Sequence, residues 1–176
     1  APPPPVDGEP VADIGVRTFE EIDATMSMIT GVPRTQPDVR TTYELVRQQM
    51  PNSDALNGFL ASHQVGISQL AVEYCNALES DTGLRASFFP GMNFNAPANS
   101  AFANQAGRDL LITPILDAVV GNGLASQPER TVVEGELNNL IGRLTTCGAS
   151  CDAGRTQTVG IAACSAALGS AAMLVQ

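Results

Sequence analysis

The sequence predicts an all-α fold, a single compact bundle of about six or seven helices behind an N-terminal proline-rich arm. Three observations point there. Apolar residues recur at three- and four-residue spacing through most of the chain, and few segments alternate at period two. Aromatic residues make up only 5% and Trp is absent, so small Ala and Gly residues fill the apolar positions. The chain has 176 residues, 44% hydrophobic and 15% charged, enough for one domain with a real core.

APPPPVDGEP reads as a polyproline II arm, a stiff spacer or a strap for another surface. The expected division is arm or linker over 1–16 and helical domain over 17–176. The arm begins with Ala and lacks the charged and apolar regions of a signal peptide. A processed start, or a cut from a longer chain, is the expectation. Pro2, Pro3, Pro4 and Pro5 are candidate contact residues on this arm.

RTFEEIDATMSMITG predicts the first helix. Thr18 with Glu21 three residues on makes a capping box. Phe19, Ile22, Met26 and Ile29 form its stripe, and Gly31 with Pro33 ends it. Glu20, Glu21 and Asp23 are expected to favour the positive helix start. PDVRTTYELVRQQM predicts the second, with Val39, Tyr43, Val46 and Met50 inward. NSDALNGFLAS gives a short third helix. Ser62 is expected to cap a long fourth over HQVGISQLAVEYCNALES, with Ile67, Leu70, Ala71, Tyr74 and Leu78 buried.

Thr82 to Phe89 predicts another short helix. FFPGMNFNAPANS breaks both periods and reads as a loop. Phe88, Phe89, Met92 and Phe94 either pin it to the body or present a contact patch, and are candidate interaction residues. Residues 100–121 are mainly helical, with Thr113 and Pro114 expected to restart the helix. QPERTVVEGELNNLIGRLTTC is amphipathic, through Val133, Leu137, Leu140, Ile141 and Leu144. CGASCDAG is a tight loop. TQTVGIAACSAALGSAAMLVQ closes the chain, its small face of Gly160, Ala163, Ala167 and Ser170 permitting close approach.

Composition restricts the function classes. The formal charge is −9, and the nine basic residues, all Arg, are scattered singly. Nucleic-acid binding needs a clustered basic face, and an acidic surface opposes docking on anionic lipid. No apolar run reaches the ~20 residues of a membrane span. VGIAACSAALGSAAMLVQ comes nearest but is rich in Gly, Ser and Ala.

The four cysteines are Cys75, Cys147, Cys151 and Cys164. CGASC can close as a small loop, which would leave Cys75 and Cys164 to join distant segments. Four cysteines allow three pairings, and spacing does not choose among them. An even count with a processed start predicts disulfides and an extracellular, cell-surface or periplasmic setting. The x3 spacing lacks the His or second close pair of a structural zinc site.

No catalytic set emerges. His63 is the one histidine, and adjacent Ser62 does not face it on a helix. Twelve residues put His63 and Cys75 ~18 Å apart along a continuous helix. Glu20/Glu21 and Glu134/Glu136 are spaced as solvated faces. The alternative is a cofactor site, haem held by His63 with Met26, Met50 or Met92, or an enzymatic domain using His63; CxxCH is absent. The main expectation has no cofactor and no metal.

TFEEIDATMSMITGV, SHQVGISQLAVEYCNAL, LRASFFPGMNF and CSAALGSAAMLVQ together show a resemblance. The chain after the arm resembles the C-terminal helical region of large secreted bacterial proteins with laminin-G-like (concanavalin-type) sandwich domains. The resemblance implies a surface setting and an N-terminal partner domain in the same parent chain. It brings no activity and no functional residues. The expected function is therefore a non-catalytic interaction or assembly module, with a protein partner or copies of itself.

Overall fold

The computed structural model describes residues 17–49, 61–120 and 128–170. The arm with Pro2 to Pro5, positions 52–60 of the expected third helix and Met50 lie outside the described residues, and the last two positions of that expected helix, Ala61 and Ser62, fall in the long helix that follows. Eight α-helices and one 3-10 turn form the described fold, with no strand among the described residues. They are α1 (Phe19–Thr30), α2 (Pro37–Gln49), α3 (Ala61–Ser80), α4 (Thr82–Phe88), α5 (Ala98–Ala101), α6 (Gln105–Val119), α7 (Arg130–Leu144) and α8 (Ala153–Leu168), with the turn at Gly148–Ser150.

Local chemistry sets most boundaries. Glu21 Oε2 accepts from Thr18 N at 2.7 Å while Thr18 Oγ1 accepts from Glu21 N at 3.3 Å, closing the capping box. The backbone N–H bond from Thr18, then its hydroxyl, holds the Glu21 carboxyl below its ordinary value. Gly31 ends α1 at φ 73°, a conformation that costs glycine little. Asp81, Asn104 and Asp152 cap α4, α6 and α8 through backbone N–H groups.

Two of these boundaries differ from expectation. Ser62 lies within α3 rather than at its cap, because the helix already includes Ala61. Pro114 does not restart a helix; α6 runs through it. Buried Leu111, Ile112, Ile115 and Leu116 on both sides hold the helix continuous despite the lost N–H donor.

The helices build two layers around one central pair. α3 packs on α1, α2 and α4; α8 packs on α5, α6 and α7; and α3 and α8 pack on each other. The α3 stripe of Ile67, Leu70, Ala71, Tyr74, Cys75 and Leu78 is buried, as helical spacing requires. Small residues on α8 let neighbours come close. A Cβ at Gly160 would lie 2.8 Å from Phe94 Cε1, and one at Gly169 would lie 3.4 Å from the Ser68 backbone on α3. Gln64 Nε2 donates to the Gly169 carbonyl at 2.5 Å, tying the same two segments.

Candidate functional site

Disulfides use all four cysteines. Cys75 on α3 joins Cys164 on α8, with Cα atoms 5.9 Å apart across 89 positions of sequence. Cys147 joins Cys151 around the 3-10 turn, with Cα atoms 5.2 Å apart. No free cysteine remains. Both pairs sit in the Cα range that a disulfide spans without moving the backbone.

The loop aromatics point inward. Phe89 and Phe94 are buried, so of the two alternatives they pin the loop to the body and do not serve as exposed interaction residues. Their rings lie 5.6 Å apart, and Phe88 meets Phe89 edge-on at 4.7 Å. The Arg85 guanidinium stands 5.0 Å from the Phe94 ring centroid, which sets a cation on its face. Burial of an apolar loop end removes it from water, and this outweighs the polarity of the flanking Asn residues. Phe88 and Met92 remain half-buried.

His63 is buried, at 5% exposure. It sits in the described first turn of α3, and Cys75 is committed to its disulfide. Met26 is fully buried in α1 and Met92 half-buried in the loop. No group of three or more His, Cys, Asp or Glu side chains able to hold a metal occurs among the described residues. Glu20, Glu21 and Glu136 are exposed, and Glu134 is half-buried.

The polar cluster that sequence reasoning missed centres on Asp23. It is not a solvated helix-start residue but 2% exposed. The Tyr74 hydroxyl donates to Asp23 Oδ1 at 2.6 Å and also approaches the Asp23 carbonyl at 3.1 Å. Arg34 Nε donates to the other carboxylate oxygen. Arg34 also lies 3.7 Å from Glu20 and 6.0 Å from the Tyr43 ring centroid, and Tyr43 stacks on Phe19. Burial, then the hydrogen bond to Asp23, pushes the Tyr74 phenol well above its ordinary value. The bond to Asp23 likewise raises the Arg34 guanidinium and keeps it charged. Tyr74 is thus a fixed neutral donor, suited to locking α1, α3 and the α1–α2 turn together. The available signal was position: Asp23 falls four residues after Phe19 and three before Met26, on the apolar face.

Beside this lock an open groove of about 480 Å³ lies between α2, α3 and α4. Val32 and Leu84 supply apolar surface, and Asp38, Glu73 and Asp81 supply carboxylates. Asp81 is committed to capping α4 through Gly83 N and Leu84 N. The groove's hydroxyl, Ser80 Oγ, donates to the Asn76 carbonyl at 2.8 Å, and no histidine lines the groove beside it. Its chemistry is that of a polar recess rather than of an activated nucleophile.

No helix among the described residues is long and apolar enough to cross a membrane. No protein-family model, curated protein or solved structure matches this chain.

Proposed function

We propose that the chain is a non-catalytic interaction or assembly module that works outside the cytoplasm, at a cell surface, in the periplasm or in the extracellular space. One observation carries the reading: every cysteine is paired in a disulfide, and the buried Cys75–Cys164 bond ties its two central helices. Such a pattern suits an oxidising compartment and a scaffold that must persist there. The polar lock at Asp23 supports it, because its groups are spent on structure.

The partner is another protein or further copies of the chain. Exposed Met28, Leu45, Val65 and Val72 supply apolar contact area on α1, α2 and α3. The resemblance adds a more specific setting, with a laminin-G-like domain preceding the helical region and the proline arm between them. The arm then acts as linker or strap.

Sedimentation of the intact chain and of a chain lacking residues 1–10 tests the assembly reading. The deletion is expected to reduce particle size. Identical sedimentation of the two at every concentration sinks the proposal that the arm straps copies together.

A further inference from the structure

We propose that Cys147–Cys151 is an exchangeable disulfide, open to an external dithiol, while Cys75–Cys164 is a permanent staple. The two bonds differ in access, in chain connectivity and in what surrounds the sulfurs.

Access comes first. Cys75 and Cys164 are 1% and 2% exposed, in the packed middle of α3 and α8. Cys147 is half-buried and is followed by exposed Gly148, Ala149 and Ser150. A Cβ built on Gly148 would meet nothing within 4 Å, so the space beside the turn is open. Cys151 is 7% exposed. An incoming thiolate therefore reaches Cys147 Sγ, with Cys151 as the leaving sulfur. Exchange rates depend on this access and on how well the leaving thiolate is stabilised.

The leaving side is prepared. Cys151 directly precedes Asp152, the N-cap of the 16-residue helix α8. The Asp152 carboxylate is itself engaged by Arg155 N at 2.9 Å. Once protonated, the Cys151 thiol has an acceptor in place, the Thr145 carbonyl 3.5 Å from its sulfur.

Connectivity points the same way. Cys147 and Cys151 are four positions apart, against 89 for the other pair. Opening so short a ring returns less entropy to the unfolded chain than opening the long one. The fold therefore depends on it less than on Cys75–Cys164.

The reaction balances in two steps. One thiolate of the dithiol attacks Cys147 Sγ and forms a mixed disulfide, while the Cys147–Cys151 bond breaks and Cys151 leaves with the electron pair and takes a proton. The second dithiol sulfur, as thiolate, then attacks the first and releases Cys147. The protein disulfide is reduced by two electrons, and the dithiol becomes a cyclic disulfide.

The test is graded reduction of the intact native chain with dithiothreitol, alkylation with iodoacetamide, and mass spectrometry of tryptic peptides. Arg143 and Arg155 place both cysteines of the small ring on one peptide, separate from Cys75 and Cys164. Double alkylation of that peptide is expected at a dithiothreitol concentration at least about tenfold below that opening Cys75–Cys164. Opening of both bonds together, or of the buried bond first, overturns the proposal. A Cys147→Ser/Cys151→Ser variant should keep its helical circular dichroism, with a melting temperature within about 5 °C of the parent. A variant that fails to fold shows the small ring to be a staple and overturns it too.

Discussion

The Tyr74 hydroxyl and the Asp23 carboxylate meet at 2.6 Å inside the fold, joining α3 to α1 across 51 positions of sequence. Tyr74→Phe removes the donor and leaves Asp23 with Arg34. Hydrogen bonds to charged groups are worth ~1.5–3 kcal/mol, and a loss of that size is expected in urea unfolding. A change below ~0.5 kcal/mol would show the contact to be incidental.

The same residue gives a pH signature. Its phenol is raised in the folded chain, so above the ordinary value of 10.0 the unfolded chain releases a proton that the folded chain keeps. The stability gained from keeping Tyr74 neutral is complete below that pH and falls as pH rises beyond it. Urea midpoints from pH 9 to 11 should decline for the parent and decline less for Tyr74→Phe. Parallel curves for the two would refute the assignment.

At the α8 surface, Gly160 leaves room for the Phe94 ring. Gly160→Ala must push that ring, and overpacking of this kind costs ~1–3 kcal/mol. Adding Phe94→Leu should recover part of the loss. If the double variant loses the full sum of both single effects, the two sites are uncoupled.

Removing the buried disulfide with Cys75→Ser/Cys164→Ser is expected to cost ~2–5 kcal/mol. Denaturant midpoints measure it, and a drop of less than ~1 kcal/mol would mean that the α3–α8 packing holds without the bond.

His63→Ala separates the interaction reading from the cofactor one. The side chain is 5% exposed, so truncation should lower the melting temperature while leaving the visible absorption spectrum unchanged. Loss of a Soret band on substitution would establish the haem reading in its place.

What the sequence disclosed was local. The capping box at Thr18 and Glu21, the αL end at Gly31 and the α3 stripe from Ile67 to Leu78 each need only a few neighbouring residues. Asp23 could not be read that way. Its partners Tyr74 and Arg34 lie 51 and 11 positions distant, and only packing brings them to it. Pro114 misled because local propensity forecasts a break that core burial on both sides overrides. Phe89 and Phe94 were ambiguous for the same reason, since an apolar loop end faces inward only where another element leaves space, as Gly160 does. Spacing left three cysteine pairings, and the α3–α8 contact supplied the missing distance.

The bond between Cys75 and Cys164 also has a mechanical meaning. It makes the intervening chain a closed covalent ring, 89 positions around. A tension applied through the two ends of the domain passes across the sulfur bridge and never loads the ring. About 300 Å of contour length, at ~3.4 Å per residue, is thereby withheld from extension. Under load only the segments before Cys75 and after Cys164 would extend, so the bridge takes about half of the chain's contour out of play.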